Sequence, residues 1–353
     1  MRVVDAIAEI LRREGVDFLS CYPTTILIEA CAAIGIRPVL CRQERVGVDI
    51  ADGYSRVSNG KRNGVFAMQY GPGAENAFPG IATAYSDSAP VLILPLGHPR
   101  EQSQVFPNFR SSRTYESVTR NVEELLMPGQ VGEAMRRAFS LLRMGRSGPV
   151  MIEIPSDVAT ADPGSAWEAY RPVNVSRAAG NPSEIDAAAR ALVEAQRPTI
   201  YAGQGVLYAE ATPELVELAE LLHAPVVTTL EGKSAFPEDH PLACGAAGIA
   251  MSGPTVHALR ESDVLFAVGA GITRHAMYPT IPPGKTLVHN TNDDRDLNKG
   301  YPADVPILGD AKLVLGQLVE AVRDRLGGRR KEPGAFVAGV QRARESWLAE
   351  WRP

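Results

Sequence analysis

The hydrophobic positions of this chain fall into two series in which helical stripes alternate with short apolar runs. In the first series, residues 3–14 repeat apolar side chains at helical spacing and stop at Gly15. Residues 17–21 read as a strand, 24–33 as a helix, 37–41 as a strand and 43–57 as a helix. On that last helix Val46, Ile50 and Tyr54 stand four apart, which predicts its apolar face, with Gly47 and Ala51 leaving room for close packing on the same side. Residues 58–64 are turn-rich. Residues 65–69 and 91–96 are continuous apolar runs, as expected of strands buried on both faces, and 73–85 is a helix between them. A helix over 131–144 and a strand over 149–155, which closes the sheet, complete the series. This rhythm predicts a parallel, doubly wound sheet.

Residues 159–182 break the rhythm. Pro163, Gly164, Pro172, Gly180 and Pro182 fall there without a period of 2 or 3.6, so the segment reads as a connection. A second series follows, with helices over 183–195, 213–222 and 312–326 and strands over 198–202, 224–229, 263–268, 286–289 and 305–308. The expectation is an α/β protein of two tandem doubly wound parallel-sheet domains, 1–160 and 183–327, joined by a linker over 161–182. A short tail, 328–353, ends the chain.

Two domains also suit a length of 353 residues. Basic residues are scattered and the formal net charge is -5, which excludes a nucleic-acid surface. No apolar run is long enough to span a bilayer, and the amphipathic N-terminus carries acids unlike a signal peptide, so the protein reads as cytoplasmic. Cys21, Cys31, Cys41 and Cys244 lack metal-ligand spacing and read as buried free thiols.

The chemistry concentrates between Leu40 and Asn76. A strand ends at the lone carboxylate Glu44, which opens the next helix, and open α/β sheets bind ligands at that edge. By position alone, a Glu in a first helical turn is also an ordinary dipole-favoured surface residue. The sequence around it decides between the two. Arg42-Gln43-Glu44, Ala51-Asp52-Gly53-Tyr54-Ser55-Arg56, Gly71-Pro72-Gly73-Ala74-Glu75-Asn76 and residues 80–90 follow in order. Together they resemble the pyrimidine-binding domain of thiamine-diphosphate enzymes of the acetolactate synthase and 2-oxo-acid decarboxylase superfamily. Residues 218–241 and 303–312 resemble the superfamily's central domain, so the likeness covers most of the chain.

The resemblance implies that Glu44 is the carboxyl group that hydrogen-bonds ring nitrogen N1′ of thiamine diphosphate and activates its aminopyrimidine. It places Pro23, Thr24, Gly71, Gly73 and Asn76 at the cofactor, although Thr24 also suits a helix cap and the glycine string suits a plain strand-to-helix turn. Arg110, Arg113 and Arg120 are candidates for a substrate carboxylate, which a planar guanidinium fork fits; solvated surface or partner contacts suit them as well. Pro107 stands where acetolactate synthases usually have Gln, and Arg120 near a usual Lys, which weakens that specific activity. In the second domain Gly203, Gly205, Thr228, Thr229, Gly269, Gly271 and Arg274 outline a pocket that binds FAD or ADP in relatives. Asn290 or Thr291 replaces the acid expected to hold a ribose, which favours a purely structural domain. No metal is assigned to the chain itself. The family's third domain, which holds Mg²⁺ and the diphosphate, has no counterpart string. The expectation is therefore a separate diphosphate-binding subunit, with the two chains assembled as a dimer of heterodimers. The alternative is a non-catalytic nucleotide-binding or regulatory subunit that retains the fold.

Overall fold

Parallel strands covered by helices on both faces occur twice in the computed structural model, which describes residues 1–23 and 25–351. Contacts divide the chain into two units, Met1–Ser176 and Arg177–Pro353.

In the first unit the strands are β1 (Phe18–Cys21), β2 (Arg37–Leu40), β3 (Gly64–Met68), β4 (Val91–Gly97), β5 (Asn121–Glu124) and β6 (Val150–Pro155). They pair in parallel in the order β2-β1-β3-β4-β6-β5. The helices are α1 (Val3–Arg13), α2 (Ile26–Ala33), α3 (Glu44–Val57), α4 (Pro72–Ser86), α5 (Ser111–Tyr115), α6 (Val131–Arg143) and α7 (Ser156–Ala159). Every residue of β3 and β4 is buried, which matches their unbroken apolar sequence. One core lies under α1, α2 and α6, and the other under α3 and α4 with Tyr115 of α5.

Two expectations need correction. The sheet closes on β5, not on β6; β5 reads Asn-Val-Glu-Glu, and an edge strand that is only half-buried carries no apolar signal. The buried face of α3 is also different. Gly47, Val48, Ala51 and Ser55 face inward, while Val46 is 42% exposed. The small residues let the helix backbone down onto the sheet: a Cβ at Gly47 would lie 2.7 Å from Cys41 Sγ and 2.9 Å from Phe66 Cδ2, with Phe66 Cε2 closer still. Tyr54 instead packs edge-on against Phe18 and donates its hydroxyl to Asp17 at 2.6 Å.

Residues 161–176 carry Trp167 and Tyr170 into the first core. Glu14, whose side chain is fully buried, holds this segment: its carboxylate accepts from Arg143 Nη1 at 2.5 Å, from Tyr170 Oη at 2.5 Å and from the Val173 amide at 3.0 Å.

The second unit has β7 (Pro198–Ala202), β8 (Val226–Thr229), β9 (Ala243–Ala247), β10 (Val264–Val268), β11 (Thr286–Thr291) and β12 (Val305–Leu308), all parallel in the order β12-β11-β10-β7-β8-β9. Its helices are α8 (Pro182–Glu194), α9 (Gln204–Tyr208), α10 (Thr212–Leu222), α11 (Gly253–Glu261), α12 (Ala311–Arg325) and α13 (Ala335–Trp351). β9, α9 and α11 escaped the sequence reading: β9 is Ala- and Gly-rich and shows neither period, and α9 and α11 are only five and nine residues long. The last helix, α13, buries Phe336 and Val340, and His257 of α11 stacks on Phe336. No helix of the described residues is long and apolar enough to cross a membrane.

Candidate active site

The carboxyl ends of the first unit's strands carry the candidate catalytic residues. Glu44 opens α3 and is only 5% exposed. Asn76, in the first turns of α4, donates its side-chain amide to Glu44 Oε2 at 2.6 Å. The other carboxylate oxygen, Oε1, faces Gly73, where a Cβ would stand 3.3 Å away. Two helices that start after different strands thus bring an acid, an amide that orients it and a bare stretch of backbone into one place. A charge-assisted hydrogen bond is short and strong, and it fixes which oxygen remains free.

Local sequence explains this convergence. Gly71 takes φ +58°, ψ −118°, a conformation that side chains rarely adopt, and so turns the chain from β3 into α4, with Pro72 at the first helical position. The two helices then lie close, because Gly80 presents no side chain to Val48 and to the Arg45 carbonyl. At the far end Arg56 donates to Asp52 and to Asp87, both at 2.8 Å, tying the last turn of α3 to the C-terminus of α4. Ser55 donates to the Pro90 carbonyl at 2.6 Å and accepts from the Gly64 amide at 2.8 Å. Four of the six residues in the string from Ala51 to Arg56 therefore hold α3 in place: Ala51 by packing, Ser55 by hydrogen bonds, and Asp52 and Arg56 by charge.

Of the other residues expected at the cofactor, Pro23 follows Tyr22 at the end of β1, and Tyr22 donates its amide to the Ala67 carbonyl of neighbouring β3. Thr24 lies outside the described residues. The cap of α2 is Thr25, whose hydroxyl accepts from the Leu27 amide at 3.3 Å. Tyr70, after β3, packs against His98, after β4, with ring centroids 4.5 Å apart and the planes tilted by 45°. All four cysteines are buried thiols, and burial pushes Cys21 up to about 11 and Cys31 and Cys244 to about 12.

The three arginines do not act together. Arg110 and Arg113 line one cleft beside β5. Arg120 instead donates Nη1 to the carbonyls of Leu141 and Met144, capping the end of α6, so it is not placed to hold a substrate with the other two. Beside that cleft is a carboxylate that sequence reading passed over. Glu153 on β6 accepts from Ser111 Oγ at 2.6 Å and from the Ser112 amide at 2.8 Å, and burial raises its pKa. Its signal was present as the one charged residue of an otherwise apolar strand.

In the second unit the glycine turns after β7 and β10 close on one another. The amides of Gly203, Gly205 and Gly269 donate to the carbonyls of Val268, Gly269 and Asn290 at 2.9, 2.9 and 3.0 Å. A Cβ at Gly205 would stand 2.7 Å from Gly269 Cα. Those three amides are therefore engaged with backbone carbonyls and are not free to cradle a phosphate. Thr229 accepts from the Gly232 amide at 2.9 Å, Thr228 is buried in β8, and Arg274 lies over the Tyr301 ring. Gly271 faces the Asp296–Lys299 ion pair. Asn290, at the expected ribose position, is fully buried and donates to the carbonyls of Ile307 and Gly309. These residues do not fit a dinucleotide bound through the two glycine turns.

Comparison with known families agrees with the geometry around Glu44. Residues 1–121 match the N-terminal TPP binding domain of thiamine pyrophosphate enzymes, and residues 185–318 match the central domain of the same enzymes. The chain belongs to the thiamine pyrophosphate enzyme family. Similar members include a probable acetolactate synthase large subunit of Methanocaldococcus jannaschii, 35% identical over 91% of this chain and 56% of that protein. An acetolactate synthase of Arthrospira platensis is 33% identical over 89% of this chain and 57% of its own length. The large subunit of acetolactate synthase isozyme 3 of Escherichia coli is 31% identical over 87% and 55%. The chain thus spans a little over half the length of these thiamine pyrophosphate enzymes.

Proposed function

We propose that this chain supplies the pyrimidine-activating part of a thiamine-diphosphate-dependent 2-oxo-acid decarboxylase or carboligase. The observation that carries the reading is the buried Glu44 carboxylate, held by Asn76 with its second oxygen facing Gly73. The fit is chemical. A ring nitrogen that must receive a hydrogen bond from a carboxyl group needs that group shielded from water, fixed in orientation and reachable over bare backbone. Glu44, Asn76 and Gly73 meet those three needs. Thiamine diphosphate, when bound, supplies the electron sink for breaking and making bonds at the 2-oxo carbon. Glu44 holds the proton shared with ring nitrogen N1′, Asn76 keeps its carboxyl from rotating, and burial of the Glu44 carboxyl strengthens its bond to the ring.

A diphosphate-binding domain that brings Mg²⁺ completes the site in this reading, on a separate subunit or elsewhere in a longer polypeptide. The matches to the N-terminal and central family domains support it, as does the share of each relative that the chain spans. An apolar rim supports it too. Leu40, Val46, Tyr70, Val105, Phe106 and Met127 are each at least 42% exposed and lie at or beyond the strand ends that carry Glu44. Exposed apolar side chains gathered at one edge mark a docking surface. The interlocked glycine turns of the second unit weigh against a nucleotide-binding regulatory role.

The test is calorimetric titration of thiamine diphosphate and Mg²⁺ into the chain with the diphosphate-binding domain supplied, beside turnover of a panel of 2-oxo acids. Binding and turnover together are expected, with Glu44→Gln keeping the fold and losing roughly 10²–10⁴-fold in turnover. Absence of cofactor binding with the domain supplied contradicts the reading.

A further inference from the structure

The cleft beside β5 has an unusual lining. It encloses about 390 Å³ and is bounded by Arg110, Ser112, Arg113, Glu116, Val122 and Glu124. Two cations and two anions face it, so the formal charge of the wall is zero. Among the described residues, the guanidiniums of Arg110 and Arg113 have neither a hydrogen-bond nor an ion-pair partner. They do not pair with the carboxylates across the cleft, although Glu116 follows Arg113 at a spacing that often pairs on helices. Arg110 and Arg113, three apart at the start of α5, instead both line the cleft.

The wall is also held in position. Glu153 fixes α5 to the sheet through Ser111 Oγ and the Ser112 amide, and the Ser112 hydroxyl donates to Glu124 on the neighbouring strand. The arginines thus stand on a short helix pinned at two points, opposite a carboxylate pinned by the same helix. A pre-positioned pair of opposite charges gives up little freedom on binding.

We propose that this cleft binds a small zwitterion of the α-amino-acid class. Its carboxylate lies between Arg110 and Arg113, and its ammonium group lies against Glu124 and Glu116. An anion alone meets the two glutamates, and a cation alone meets the two arginines; only a ligand that carries both charges satisfies the whole wall. Val122 is the one apolar lining residue, so the side chain is small, in the range of alanine or serine. Glu44, Gly73 and Asn76 are not among the residues that line this cleft. Its helix α5 nonetheless touches the segment that meets Glu44, since Tyr115 donates its hydroxyl to the Ala74 carbonyl, between Gly73 and Asn76. The inference gives Arg110 and Arg113 a carboxylate ligand, but at an accessory site, and does not depend on the role of Glu44.

The experiment uses the full chain and calorimetry at millimolar ligand. The common α-amino acids are screened first, and L-alanine is then compared with propionate, which lacks the ammonium group, and with ethylamine, which lacks the carboxylate. A small amino acid is expected to bind, with each one-ended analogue at least tenfold weaker. Arg113→Gln and Glu124→Gln, each checked for an unchanged melting curve, are expected to cost about tenfold apiece, near the 1.4 kcal/mol of one charge-assisted hydrogen bond. Propionate binding as tightly as the amino acid overturns the proposal in favour of a plain anion site. Amino-acid binding that both variants leave unchanged, or no binding by any amino acid, also overturns it.

Discussion

Two glycines of α3 lead to opposite predictions from one kind of substitution. Replacing a helical Gly with Ala stabilises by about 1 kcal/mol through propensity alone. Gly53 has nothing within 4 Å of where a Cβ would stand, so Gly53→Ala should gain roughly that amount. Gly47 has the same propensity to gain, but its Cβ would press within 3 Å of Cys41 Sγ and of two carbons of Phe66. Phe66 is fully buried in the middle of β3 and cannot move aside without displacing its neighbours. Overpacking of this kind costs about 1–3 kcal/mol and occasionally more, which exceeds the propensity gain over most of its range. Gly47→Ala should therefore be destabilising by up to about 2 kcal/mol net, a gap of about 1–3 kcal/mol from Gly53→Ala. Hydrogen exchange of the β3 amides under increasing urea reads the first unit by itself, which matters because a two-unit chain need not unfold in one step. If Gly47→Ala proves as stable as Gly53→Ala, α3 does not rest on Phe66 as described, and the placement of Glu44 one turn away loses its support.

Two further predictions concern buried carboxylates. Glu14→Ala leaves the Arg143 guanidinium without its carboxylate and frees Tyr170 and Val173, and should destabilise the first unit by about 3–5 kcal/mol, seen as a lower urea midpoint. Glu153 has its pKa raised above the usual 4.5, first by burial, against the hydrogen bonds of Ser111 and Ser112, with Glu124 raising it further and His98 lowering it. Because the folded value lies above the unfolded one, its contribution to stability is complete below about pH 4.5 and is lost as pH rises through the folded value. Urea midpoints measured across that range should fall with pH for the native chain and fall less for Glu153→Gln; parallel pH profiles for the two would refute the assignment.

Much of this architecture can be read directly from the chain. The unbroken apolar runs of β3 and β4 announce a sheet covered on both faces, and the string from Gly71 to Asn76 marks a turn into a helix at a ligand-binding edge. What escapes sequence reading has a common physical origin in residues that carry no hydrophobic signal. The inner face of α3 is built from Gly47, Ala51 and Ser55, which pack through closeness and hydrogen bonds rather than apolar bulk, so the eye falls on Val46 and Ile50 instead. β5 is a polar edge strand, and β9 is Ala- and Gly-rich. The glycines after β7 and β10 read as phosphate-binding turns because the same residue serves close approach of backbone to backbone, and only coordinates tell which partner is there. Glu153 was overlooked because an isolated acid in an apolar strand acquires meaning only from the serines that α5 brings to it.

The most direct test of the central claim is the rate of hydrogen–deuterium exchange at thiazolium C2 of bound thiamine diphosphate, followed by proton NMR with the diphosphate-binding domain supplied. The account predicts fast exchange with the native chain and exchange slowed at least about 100-fold by Glu44→Gln, with cofactor affinity changed much less. Exchange equally fast in the variant would show that the Glu44 carboxyl does not activate the pyrimidine, and the proposed function would fall with it.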